Sequence, residues 1–117
     1  MAFKFEQLRV WQEAVELSGA INDLAQTFPK EELFVLSSQI KRAADSIALN
    51  IAEGSTGQTT PEFKRFLGIA LRSGIEVISC LYLAKRRKII NDTNFNNIYN
   101  QTEMLIKGIQ ALRNSLK

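Results

Sequence analysis

The side chains able to do chemistry in this 117-residue chain are chiefly cations, and their spacing is regular. Lys85-Arg86-Arg87-Lys88 packs positive charge into about one helical turn. Arg65, Arg72, Ser79 and Arg86 recur every seven residues, which lays three arginines along one stripe of a helix, with Lys64 beside it. Lys41 and Arg42 fall near the start of another helix, where cations oppose the helix dipole unless something anionic compensates. Cations in such rows suit a phosphate backbone, which they neutralise with release of counterions. Charges that complement the dipole at a helix C-terminus, together with ordinary surface charge, account for the same residues. The residues alone leave both readings open.

Other chemistry finds little support. With no histidine, a di-iron bundle built on Glu-x-x-His pairs cannot form, and a zinc site lacks its usual ligands. Cys80 is the lone cysteine, and Ser79 and Leu81 beside it offer no activating base, so it reads as a buried structural thiol. A single cysteine forms no internal bridge, which fits the reducing cytosol. The loop Gly54-Ser55-Thr56-Gly57-Gln58-Thr59 lacks the Gly-Lys-Ser/Thr ending of a phosphate cradle and follows a helix rather than a strand. No catalytic residue, metal or cofactor is expected.

The elements that carry these residues read as four helices. The length is one domain's worth, residues 1–117, and an apolar fraction of 45% is enough for a real core. The first helix runs from about Glu6 or Leu8 to Thr27, with Leu8, Trp11, Val15, Ser18, Ile21 and Ala25 on one face and Pro29 ending it. The second starts after Ser37 as N-cap, turns Ile40, Ala43, Ile47 and Asn50/Ile51 inward, and stops at Gly54 in a left-handed conformation. The third opens with Thr60 as N-cap and Pro61 as first residue. Its Phe63, Leu67, Ala70, Gly74, Val77, Leu81 and Ala84 keep a strict four–three spacing. After the turn cluster Asn91-Asp92-Thr93-Asn94, the fourth repeats that spacing with Phe95, Ile98, Thr102, Leu105, Ile109, Leu112 and Leu116. Short connections make neighbours antiparallel, so the expected fold is an all-α, up-down-up-down four-helix bundle.

The third helix is apolar on more than its seam. Phe66, Ile69, Ile75, Ile78 and Leu83 lie outside it and are candidates for an oligomer interface. The helix glycines Gly19, Gly68, Gly74 and Gly108 fit close approach of another helix, which would offset their low helix propensity. Its stretch FLGIALRSGIEVISCLYLA nears the length of a membrane span, but Arg72 and Glu76 in its middle are expensive in lipid, so no membrane is expected. Arg72 and Glu76, one turn apart, are expected to pair with each other or across an interface. Glu53 sits against the dipole at the end of the second helix and calls for compensation by Lys41, Arg42 or amides opening the third helix. Charge is lopsided: residues 1–60 carry −3 and residues 61–117 carry +6, which points to an anionic partner or to faces that meet in an assembly. No apolar leader opens the chain, so a cytoplasmic location is expected.

Several ordered blocks resemble one bacterial family. Leu8-Arg9-Val10-Trp11-Gln12-Glu13-Ala14, with Trp11 at its centre, is similar to the family's opening block. Gln39 to Ile47 and the signature Asn50-Ile51-Ala52-Glu53-Gly54-Ser55 follow, and Phe63-x-x-Phe66-Leu67-x-Ile69-Ala70 with Ser73 and Glu76-Val77 matches its third-helix motif. These blocks resemble the four-helix bundle proteins associated with 23S ribosomal RNA intervening sequences. The resemblance implies a barrel-like homopentamer. A relative, the accessory variability protein of diversity-generating retroelements, is a basic pentamer that binds nucleic acid and a reverse transcriptase. It therefore implies a non-catalytic oligomer that binds structured RNA or DNA, or alternatively a scaffold for a protein partner. Family members often carry an arginine after the Asn-Ile-Ala-Glu-Gly block, where this chain has Gly57-Gln58.

Overall fold

Heptad-like spacing places apolar side chains on one side of each helix, and the four helices bury those sides against one another. The computed structural model describes residues 2–57 and 59–117. A 3-10 turn, Lys4–Gln7, leads into α1, Arg9–Gln26; a second, Lys30–Glu32, leads into α2, Leu36–Ser55; α3 is Thr60–Arg86 and α4 is Asp92–Ser115. No strand occurs among the described residues. Packing runs round the square, α1 on α2, α2 on α3, α3 on α4 and α4 on α1, without diagonal neighbours. This is the antiparallel four-helix bundle expected, a rod of 43 × 22 × 21 Å.

The seams of α3 and α4 are where the spacing put them. All seven α3 positions from Phe63 to Ala84 are buried. In α4, Phe95, Ile98, Thr102, Leu105 and Ile109 are buried, and Thr102 satisfies its hydroxyl on the Ile98 carbonyl at 2.7 Å, but Leu112 is only half-buried and Leu116 lies past the helix end. The α1 face keeps the expected Ile21 and Ala25 but differs in its first half. Val10, Ala14, Leu17, Ile21, Leu24 and Ala25 face the core, while Val15 is 42% exposed. Two apolar stripes adjoin on this helix, and only one can point inward. Trp11 lies at the margin, covered by Phe5 of the 3-10 turn in an edge-on contact at 4.8 Å.

Helix ends also needed correction. Ser37 is not the N-cap of α2: Val35 is, and Ser37 is buried in the first turn. Backbone bonds from Glu32, Leu33 and Val35 to carbonyls three residues back wind the connection directly into the helix. The N-cap of α3 is Thr59, one residue before the expected Thr60, and its hydroxyl accepts from the Glu62 amide at 3.2 Å. Asn91 caps α4 through the Asn94 amide at 2.7 Å. Gly54 is not a left-handed stop, since among the described residues no glycine has positive φ. It lies inside α2, where a β-carbon would come within 2.6 Å of the Phe66 β-carbon on α3. Contact, not backbone freedom, explains this glycine. Gly74 is similar, with a Cβ position 2.8 Å from Ile106 on α4, whereas nothing approaches Gly19 within 4 Å. Gln58 of the expected polar loop lies outside the described residues.

Candidate nucleic-acid interface

The register of α2 against α3 decides which cations share a surface. Glu32 meets Arg87 at 2.8 Å, Gln39 donates to Glu76 at 3.3 Å, and Ser73 donates to Ser46 at 2.8 Å. Asn50, from the signature block, supports this seam by donating its amide to the Ser46 carbonyl (2.8 Å) and hydroxyl (3.0 Å). The antiparallel register puts Arg42 near the level of Glu76, between Arg72 and Arg86. Arg42, Arg65, Arg72 and Arg86 are all exposed. The α3 arginines stand opposite the buried seam and span about 31 Å, taking 1.5 Å per residue.

The remaining candidates divide. Arg87 is held by Glu32, and Lys85 lies over the Phe95 ring at 4.5 Å, so half of the four-cation run is already engaged within the subunit. Arg86 and Lys88 are exposed beside them. Lys88 takes a left-handed backbone with φ 59°, and Lys88 and Ile89 donate to the carbonyls of Lys85 and Ala84 to close the end of α3. Lys41 is half-buried on the side of α2 away from α3, near Leu33 and Asp45. Lys64 is half-buried, and its carbonyl receives Arg113 of α4 at 3.0 Å. Arg65 is over the Phe66 ring at 4.6 Å.

Two compensations expected within the subunit are not made. Arg72 and Glu76 do not pair with each other. Both face solvent, and Glu76 is met by Gln39 instead. The carboxylate of Glu53 has no hydrogen-bond or ion-pair partner among the described residues and is exposed, where water screens its unfavourable position on the dipole. The surplus apolar surface of α3 is smaller than the sequence suggests. Ile78 packs against the core, Phe66 is half-buried on Gly54, and Ile69 is half-buried. Ile75 and Leu83 remain 60% and 42% exposed. Both α2 and α4 flank α3, so it is covered on more than its inward seam.

Cys80 is buried, and burial pushes its thiol up to about 11, with Glu76 adding and Arg87 opposing. It stays protonated at neutral pH, a structural thiol rather than a nucleophile. The sequence reading passed over Phe34. With Leu33 and Val35 it forms an exposed apolar connection, and Phe34 is itself 89% exposed. Three consecutive large apolar residues in a segment too short for a helix were the available signal. Beside Phe34, an open groove of about 620 Å³ is lined by Ser38, Gln39, Arg42 and Ser46 of α2 and Glu76 of α3.

An all-α bundle with a cationic outer helix is the class that this geometry defines. Residues 6–111 match the 23S rRNA-intervening sequence protein family, and the chain belongs to it. It is also similar to a crystal structure from Bacteroides thetaiotaomicron, that of a protein of unknown function from the S23 ribosomal protein family. That similarity has a TM-score of 0.85 and 27% sequence identity, and covers 91% of this chain and 99% of the other. No curated protein matches the chain.

Proposed function

We propose that this protein is a non-catalytic, cytoplasmic homo-oligomer, a pentamer by family analogy, that binds structured RNA or DNA through its basic residues. One observation carries the proposal. Arg65, Arg72 and Arg86 are exposed along the outer side of α3, and among the described residues none has an acidic partner. Their span of about 31 Å is close to one turn of a duplex, ~34 Å. Arg42 adds a fourth charge from α2. The contacts are to phosphate and are not base-specific along this stripe, so affinity depends steeply on salt. The exposed Ile75 and Leu83 supply apolar area for contact between subunits.

Filter binding of ribosomal RNA fragments across a salt series tests this role. Binding at low salt should fall with salt, and the slope should drop by nearly one for each arginine that contacts a phosphate. The triple variant Arg65→Ala, Arg72→Ala, Arg86→Ala should therefore bind weakly with a shallow slope. Absence of binding at low salt, or an unchanged slope in the triple variant, would leave the alternative of a protein-interaction scaffold, which the exposed Leu33-Phe34-Val35 connection favours.

A further inference from the structure

An exposed phenylalanine usually signals a contact, and Phe34 has unusual neighbours for an apolar one. The groove beside it is walled mainly by polar groups: a guanidinium, an amide, a carboxylate and two hydroxyls, from Arg42, Gln39, Glu76, Ser38 and Ser46. An aliphatic protein side chain would desolvate these groups, of which the Arg42 guanidinium and the Ser38 hydroxyl have no partner among the described residues to offset that cost. A nucleobase presents flat faces that stack on an aromatic ring and an edge that makes hydrogen bonds. The groove volume of about 620 Å³ falls within the ~300–1,000 Å³ usual for small-ligand clefts. Arg42 also stands level with the stretch between Arg72 and Arg86, so a backbone following those arginines passes the mouth of the groove.

We propose that this groove receives one unpaired nucleotide of the bound nucleic acid, its base stacked on Phe34 and its phosphate held by Arg42. Gln39, as an amide, and Glu76, as an acceptor, meet the edge of the base. The proposal rests on the nucleic-acid role above and adds to it a preference for a bulge, loop or end over a continuous duplex.

The test compares a hairpin RNA carrying a single-nucleotide bulge with the fully paired hairpin, using the full chain. The wild type should favour the bulged RNA. Phe34→Ala should weaken binding of the bulged RNA about ten-fold, within the usual worth of one stacked base, and leave the paired RNA unchanged. Phe34→Trp should keep the preference, and its added emission should be quenched by the bulged RNA alone. Equal binding of both RNAs by Phe34→Ala and wild type alike would overturn this proposal and leave the arginine stripe standing. Failure of either RNA to bind at low salt would overturn both. A smaller sedimenting species for Phe34→Ala, with discrimination unchanged, would overturn the proposal and make Phe34 a contact between subunits.

Discussion

Gly54 of α2 and Phe66 of α3 are in contact closely enough that no side chain fits between them: an added β-carbon would stand 2.6 Å from that of Phe66 and 3.0 Å from the Phe63 ring. The signature block therefore holds the bundle together. Ile51 fills the core, Asn50 bonds Ser46 at the α2–α3 seam, and Gly54 lets Phe66 close over the end of α2.

Substituting that glycine should separate contact from helix propensity. Gly54→Ala gains roughly 1 kcal/mol of propensity but forces apart two packed helices, at about 1–3 kcal/mol or more. A net loss in the urea unfolding midpoint is expected. Gly19→Ala is the matched control, since nothing lies within 4 Å of its added carbon. It should stabilise by about 0.5–1 kcal/mol. If both variants shift in the same direction, the close approach at Gly54 is not what holds that position.

Lys88 is strained where a glycine would not be. Its φ of 59° is left-handed, a region that costs non-glycine residues about 1–2 kcal/mol. Its side chain is exposed, so little packing is lost on removal. Lys88→Gly should raise stability by roughly 0.5–1 kcal/mol in thermal or urea unfolding, after the entropy of the unfolded glycine is set against the relieved strain. A destabilised variant would mean that the lysine makes a contact that outweighs the strain.

Cys80 makes stability fall in alkali. Below pH 9.0, the ordinary thiol value, it is protonated both folded and unfolded, and the contribution is fully present. As pH rises from there, the unfolded chain gives up its proton first, because burial holds the folded thiol up to about 11. Stability is lost across that window, on the order of 2–3 kcal/mol in all, and levels off once both states are ionised. Tyrosines and lysines titrate in the same range, so the informative quantity is the difference between wild type and Cys80→Ala at each pH. That difference should be constant near neutrality and shrink above pH 9.0. A flat difference through pH 11 would mean that water reaches the thiol.

Legibility followed the number of competing patterns. On α3 and α4, a four–three register of large apolar residues points to one inward face: all seven α3 positions and the first five of α4 are buried, while Leu112 and Leu116 are only half-buried where α4 ends. On α1, Leu8, Trp11 and Val15 compete with Val10, Ala14 and Leu17, and the sequence holds no local term to decide between adjacent stripes. Gly54 satisfies two rules equally, as a helix stop and as a point of contact; only the partner helix distinguishes them. The arginine stripe was readable because a seven-residue repeat keeps side chains on one side whatever that side faces. Which of the cations are occupied was not, because Glu32, which holds Arg87, is 55 residues away in sequence. Phe34 lies in a connection, where periodicity says nothing.

The exposed apolar residues of α3 lie among its arginines, and this links assembly to binding. Ile75 follows Arg72 by three residues, and Leu83 precedes Arg86 by three, so apolar and cationic side chains lie within one turn of each other. Two arrangements are open to such a face. If subunits meet along the arginines, breaking the assembly frees charge and steepens the salt dependence of each subunit. If subunits meet at the apolar residues while the arginines stay in solvent, breaking the assembly removes only multivalency, and the slope per subunit is unchanged while affinity falls. The proposed function requires the second. Ile75→Ser with Leu83→Ser should yield a smaller species in sedimentation with intact helical circular dichroism, because neither side chain is in the core. Its affinity for ribosomal RNA fragments should drop ten-fold or more, roughly the range of lost avidity, at a constant slope per subunit. A steeper slope would place the arginines inside the subunit interface and remove them as the phosphate-binding surface.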